Sequence, residues 1–155
     1  MCLKRRGQER GAAAVEMALI TPLLILLIFA IIDFGRYFFV DISVNAAAHE
    51  AARVGSLYPV SGAKMQAVAA GTAPFAAGMA NVLGGTSTLT VKVAVCPQDA
   101  TGATCVPAAV NTSSTYCVSG SAIKVRVSTQ FHWILQVPGL TDHEVAADGV
   151  MVCTV

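Results

Sequence analysis

Hydrophobic and polar positions divide the chain into three regimes. From Ala12 to Ile32 every residue is apolar except Glu16, Thr21 and Pro22. Twenty-one residues at about 1.5 Å each make a helix of roughly 31 Å, enough for the hydrocarbon core of a bilayer. Beyond Ile32 the apolar positions thin to a stripe. Val40, Val44, Ala47, Ala51 and Val54 are four, three, four and three residues apart, one face of a helix. Asp33, Arg36, Glu50 and Arg53 are then expected on the remaining surface. The same rod should leave the membrane and run to about Val54, stopped at Gly55 with Pro59 soon after. Ser61 is placed to cap a second helix reaching about Leu83, interrupted near Gly71 and Pro74 and closed by Gly84-Gly85.

The third regime has period two. Leu89, Val91, Val93 and Val95 alternate with Thr88, Thr90, Lys92 and Ala94, and Ile123, Val125 and Val127 with Lys124, Arg126 and Ser128. A third strand is expected within Val145 to Val155, with Val150, Val152 and Thr154 on one face and a bulge at Gly149. The expected fold is α+β: a long N-terminal transmembrane and stem helix, a second helix and a small antiparallel sheet forming a head. Its parts would be a basic leader (1–11), a transmembrane helix (12–33), an amphipathic stem (34–55) and an extracytoplasmic head (56–155).

Charge orients this layout. The 155 residues carry a net +1, but residues 1–11 hold four basic and one acidic residue and the remainder six basic and eight acidic. Lys4, Arg5, Arg6 and Arg10 precede the apolar run and no basic residue follows until Arg36, so the N-terminus should stay cytoplasmic and the head should cross. That makes the protein a single-pass membrane protein with its head on the far side; for a bacterial chain this is the inner membrane, with the head periplasmic or extracellular. Phe34, Tyr37, Phe38 and Phe39 fall where an interfacial aromatic belt would lie. Nothing after the leader is a basic nucleic-acid surface. The mean hydropathy of +0.65 is high, and alanine and valine in the later chain contribute to it alongside the membrane segment.

Cys96, Cys105, Cys117 and Cys153 all lie beyond the membrane segment, which in an exported domain predicts two disulfides. The Ser-, Thr-, Pro- and Gly-rich stretch 97–120 is too long for an unsupported loop and reads as an excursion pinned by them. In an up-down-up meander with the second strand central, Cys96 and Cys153 stand about 9–10 Å apart, too far to bridge. Cys96–Cys105 with Cys117–Cys153 is the favoured pairing; Cys96–Cys117 with Cys105–Cys153 remains open.

The N-terminal pattern excludes an ordinary cleaved secretory signal, because the apolar run is too long and no small-x-small site follows. Gly11, followed by Ala12-Ala13-Ala14-Val15-Glu16, puts a glutamate five residues after a glycine that ends a basic leader. This resembles the processing motif of type IV pilin-like proteins. The longer string from Gly11 to Leu24, followed by Ile31-Ile32-Asp33-Phe34-Gly35-Arg36, is similar to the TadE-like pseudopilins of tight-adherence (Flp) pilus systems. It departs from that pattern at Met17, where the family usually has an aromatic residue. The resemblance covers roughly residues 8–60. It implies a pilus-assembly role, cleavage after Gly11 by a prepilin peptidase, and partnership with pilin and pseudopilin subunits and other assembly proteins in the membrane. It also implies that Glu16 pairs with the α-amino group of a neighbouring subunit, which would relieve the burial of both charges. For Pro22 it implies a kink used in subunit packing; membrane helices also tolerate proline without such a role. The alternative reading is an uncleaved, signal-anchored extracytoplasmic binding or scaffold domain.

No catalytic, cofactor or metal constellation stands out. His49 fits the polar face of the stem, and His132 and His143 lack metal-ligand spacing. Asp142-His143-Glu144 reads as a charged turn before a strand, and Trp133 as core. The expectation is a structural, non-enzymatic protein that takes no cofactor.

Overall fold

The computed structural model describes residues 6–57, 60–82, 88–97, 105, 107–109, 117, 120–135, 139 and 141–153, with backbone alone at 6–10, 97 and 109. A single helix, α1 (Arg6–Leu57), runs through both the apolar segment and the stem. At about 1.5 Å per residue its 52 residues extend about 78 Å. Its first part stands clear of the core: every residue from Gly11 to Phe29 is exposed. By length and composition this part is a candidate membrane span. The second part carries the head.

The head is built on a return path. The backbone of α2 (Gly62–Thr72) and α3 (Ala76–Ala80) comes back along α1, since Met65 meets Gly55 and Met79 meets Arg36. The break between them falls at Ala73–Phe75, where the expected interruption lay. Ser61 occupies the N-cap of α2 without a side-chain cap; its carbonyl instead accepts from the amides of Lys64 and Met65. Leu83, Gly84 and Gly85 lie outside the described residues.

Among the described residues four antiparallel strands follow: β1 (Thr90–Pro97), β2 (Ala108–Ala109), β3 (Ser121–Phe131) and β4 (His143–Val152), in the spatial order β2-β1-β3-β4. The three main strands are the three that alternation predicts, and β3 is central among them. The two-residue β2 arises from the 97–120 stretch and has no periodic signal of its own. Ile123, Val125, Val127 and Phe131 of β3 are fully buried against the helices, and Lys124 and Arg126 face outward towards Asp148 of β4. Cys96 is bridged to Cys105 and Cys117 to Cys153, with Cα–Cα separations of 5.7 Å in each.

Several sequence readings change. Residues 6–10, expected as part of a basic leader ahead of the helix, continue α1; Arg, Gln and Glu are good helix formers. Gly55 does not stop the stem, which runs to Leu57. It is buried inside the helix, where a Cβ would lie 2.7 Å from Met65 Sδ and 2.8 Å from Ile123 Cδ1. Gly149 makes no bulge: the β3–β4 register runs unbroken from Ala122↔Val152 to Phe131↔His143. Its role is close approach, since a Cβ there would sit 2.3 Å from the Ala48 carbonyl oxygen of α1. Asp33 and Arg36 are not on the solvent face at all.

Candidate functional site

The stripe of α1 does not begin at Val40. Counting back by three and four residues reaches Tyr37, Arg36 and Asp33, and these side chains turn toward the head with Val40, Val44, Ala47 and Ala51. Asp33 is 2% exposed and Arg36 5%. Both charges therefore leave water at the point where the candidate span meets the head. An ion buried there without partners would cost several kcal/mol.

The fold supplies those partners from α1 itself and from the ends of α3 and β3. Arg36 Nη1 lies 2.6 Å from Asp33 Oδ1, an i,i+3 pair on one helix face. The second Asp33 oxygen, Oδ2, accepts from the backbone amides of Leu135 at 2.8 Å and Ile134 at 3.1 Å, just past β3. The guanidinium donates through Nε and Nη2 to the Met79 carbonyl near the end of α3, at 3.1 and 2.7 Å, and through Nη2 to the His132 carbonyl at 3.4 Å. Its carbon also lies 5.1 Å from the ring centroid of Phe131. One ion pair thus ties α1, α3 and the end of β3 together. His132 N reinforces the tie by donating to the Ala80 carbonyl at 2.9 Å.

An aromatic cluster closes over this latch. Tyr37 stacks on Trp133 with ring centroids 5.9 Å apart, and Phe131 packs edge-on to both, at 5.6 Å from Tyr37 and 5.0 Å from Trp133. His143 joins at 5.4 Å from Tyr37. Tyr37 therefore leaves the expected aromatic belt for the core, while Phe34, Phe38 and Phe39 stay exposed. Trp133 is buried, as its apolar neighbourhood in the sequence suggests. His132 pairs with Asp142 at 2.7 Å on the surface, and His49 is exposed on the stem. Among the described residues, no group of three or more His, Cys, Asp or Glu is placed to hold a metal ion.

At the other end of the rod, Gly11, Ala12 and Glu16 are exposed on α1. Ala12 and Glu16, four residues apart, share a helix face. The helix runs through Pro22, with Thr21 Oγ1 donating to the Met17 carbonyl at 2.6 Å. Glu16 and the latch are about 25–30 Å apart along the helix axis, from its rise per residue.

Comparison with known families matches both ends of this arrangement, from Gly11 through the latch to Arg53. Residues 11–53 fit the family model described as TadE-like protein. The chain carries a TadE-like segment. That segment comprises the whole apolar run, Glu16, Pro22, and the Asp33–Arg36 latch with most of the stem above it. The comparisons with curated proteins and with solved structures found no match.

Proposed function

We propose that this protein is a minor pseudopilin or assembly component of a tight-adherence pilus, inserted in the inner membrane by α1 with its head outside. The observation that carries the reading is the TadE-like match over residues 11–53, which begins at Gly11 and covers a rod exposed at every residue from Gly11 to Phe29. On this reading a prepilin peptidase cuts after Gly11 and removes Lys4, Arg5, Arg6 and Arg10. The new amine of Ala12 and the carboxylate of Glu16 then serve as the polar pair that sets helix register against a neighbouring subunit. Pro22 supplies a bend for that packing, and the latch keeps the head fixed on the rod. Gly11 and Glu16 are substrate and assembly residues and take part in no chemistry of the protein's own.

The continuous helix across Gly11 favours a second reading, an uncleaved anchor presenting the head as a scaffold. The two separate on assembly. In a strain lacking the native protein, Glu16→Gln should insert normally yet fail to restore surface pili. Full restoration by Glu16→Gln would favour the anchor.

A further inference from the structure

The elbow between α2 and α3 carries the most exposed large apolar side chain among the described residues of the head. Phe75 is 71% exposed, and with Phe39, Pro74, Gly78 and Met79 it lines an apolar hollow of about 420 Å³. Among the described residues, no charged side chain lines it. An exposed aromatic beside an apolar hollow marks a contact surface.

The position of the elbow on the rod identifies the contact. Met79 accepts from Arg36, one helical turn past the end of the apolar run, and Phe39 forms the hollow's wall on α1. Phe39 lies about 10 Å beyond Ile32 along the helix axis, and its side chain leans back toward the N-terminus. The headgroup zone adds roughly 5–7 Å on each side of the hydrocarbon. The elbow therefore stands at the bilayer surface, with its aromatic ring available to reach down. Exposed Phe34, Phe38 and Phe39 extend apolar surface along the rod past Ile32, and Phe39 is shared with the hollow. Aromatic side chains favour this interfacial level.

We propose that the Pro74–Phe75 elbow docks the head on the lipid bilayer, with Phe75 in the interfacial zone of a zwitterionic membrane. The contact gives the head a second attachment to the surface, beside the rod, and would limit rotation and tilt of the head before assembly. It rests on the reading of α1 as a membrane span.

The test uses the full chain in phosphatidylcholine vesicles containing lipids brominated either near the headgroup or deep in the acyl chain. Trp fluorescence quenching is measured for Phe75→Trp, for Leu24→Trp in the span, and for Lys64→Trp at the far end of α2, each as the difference from the unsubstituted chain. Phe75→Trp should be quenched several-fold more than Lys64→Trp, and more by shallow bromines than by deep ones. Leu24→Trp should show the reverse depth order. Quenching of Phe75→Trp equal to that of Lys64→Trp, with Leu24→Trp quenched, overturns the docking alone. An unquenched Leu24→Trp overturns the span reading and the docking with it. A Phe75→Trp emission that shifts blue with protein density, without bromine quenching, assigns the hollow to a second copy and also overturns the proposal.

Discussion

Replacing Asp33 by alanine should unfasten the head from the rod. The substitution removes the carboxylate that neutralises Arg36 and leaves the amides of Ile134 and Leu135 without their acceptor. Arg36 keeps two carbonyls and the face of Phe131, which solvate the guanidinium only in part. Breaking one side of a buried pair costs about 3–5 kcal/mol. For a head of this size, at about 4 °C per kcal/mol, that is a fall in Tm of about 12–20 °C. The assay is thermal unfolding of the full chain in detergent micelles, followed by the fluorescence of Trp133, which packs in the aromatic cluster over the latch. Asp33→Leu/Arg36→Met removes both charges and leaves no ion buried alone. Its loss should fall short of the sum of the two single losses by about 2 kcal/mol or more. A loss below about 1 kcal/mol for Asp33→Ala, the range of an exposed pair, would refute the reasoning, as would strict additivity in the cycle.

Other outcomes follow from particular contacts. Gly149→Ala places a methyl group against the Ala48 carbonyl and forces β4 away from α1; it should cost about 1–3 kcal/mol or more in the same melt, whereas Gly71→Ala, at an open position in α2, should not destabilise. Glu50 titrates below its ordinary value because Arg53 donates to it through Nε at 2.8 Å and Nη2 at 2.6 Å. The pair's small stabilisation is complete above the ordinary carboxylate range and is lost as pH falls through the lowered value. Carboxyl NMR titration should show the midpoint rising toward the ordinary glutamate value in Arg53→Ala, and screening by salt should narrow the difference.

Much of the fold is legible because its elements obey their own periods. The continuous rod and the three main strands follow from spacing, and the break near Pro74 from the glycine and proline there; the central place of β3 is a condition of the disulfide argument that spacing does not supply. What escapes has a common cause: residue type was allowed to override position. Asp33 and Arg36 continue the apolar stripe of α1 by spacing, but as charges they read as solvent-facing. The signal that locates them is the three-residue interval between opposite charges in line with Tyr37 and Val40. Gly55 and Gly149 likewise read as a helix stop and a bulge, the usual local uses of glycine. Both are instead positions where another element comes too close for a Cβ, which depends on tertiary packing and has no local signature. β2 is two residues long and owes its strand form to pairing with Lys92 and Val93.

Whether the N-terminal segment is processed is read from the intact mass and N-terminal sequence of the protein from membranes. Samples come from cells with and without the cognate prepilin peptidase. A peptidase-dependent start at Ala12, lighter by residues 1–11, is expected, with a start at Met1 when the peptidase is missing. A start at Met1 in both samples would rule out processing after Gly11 and leave α1 as an uncleaved anchor.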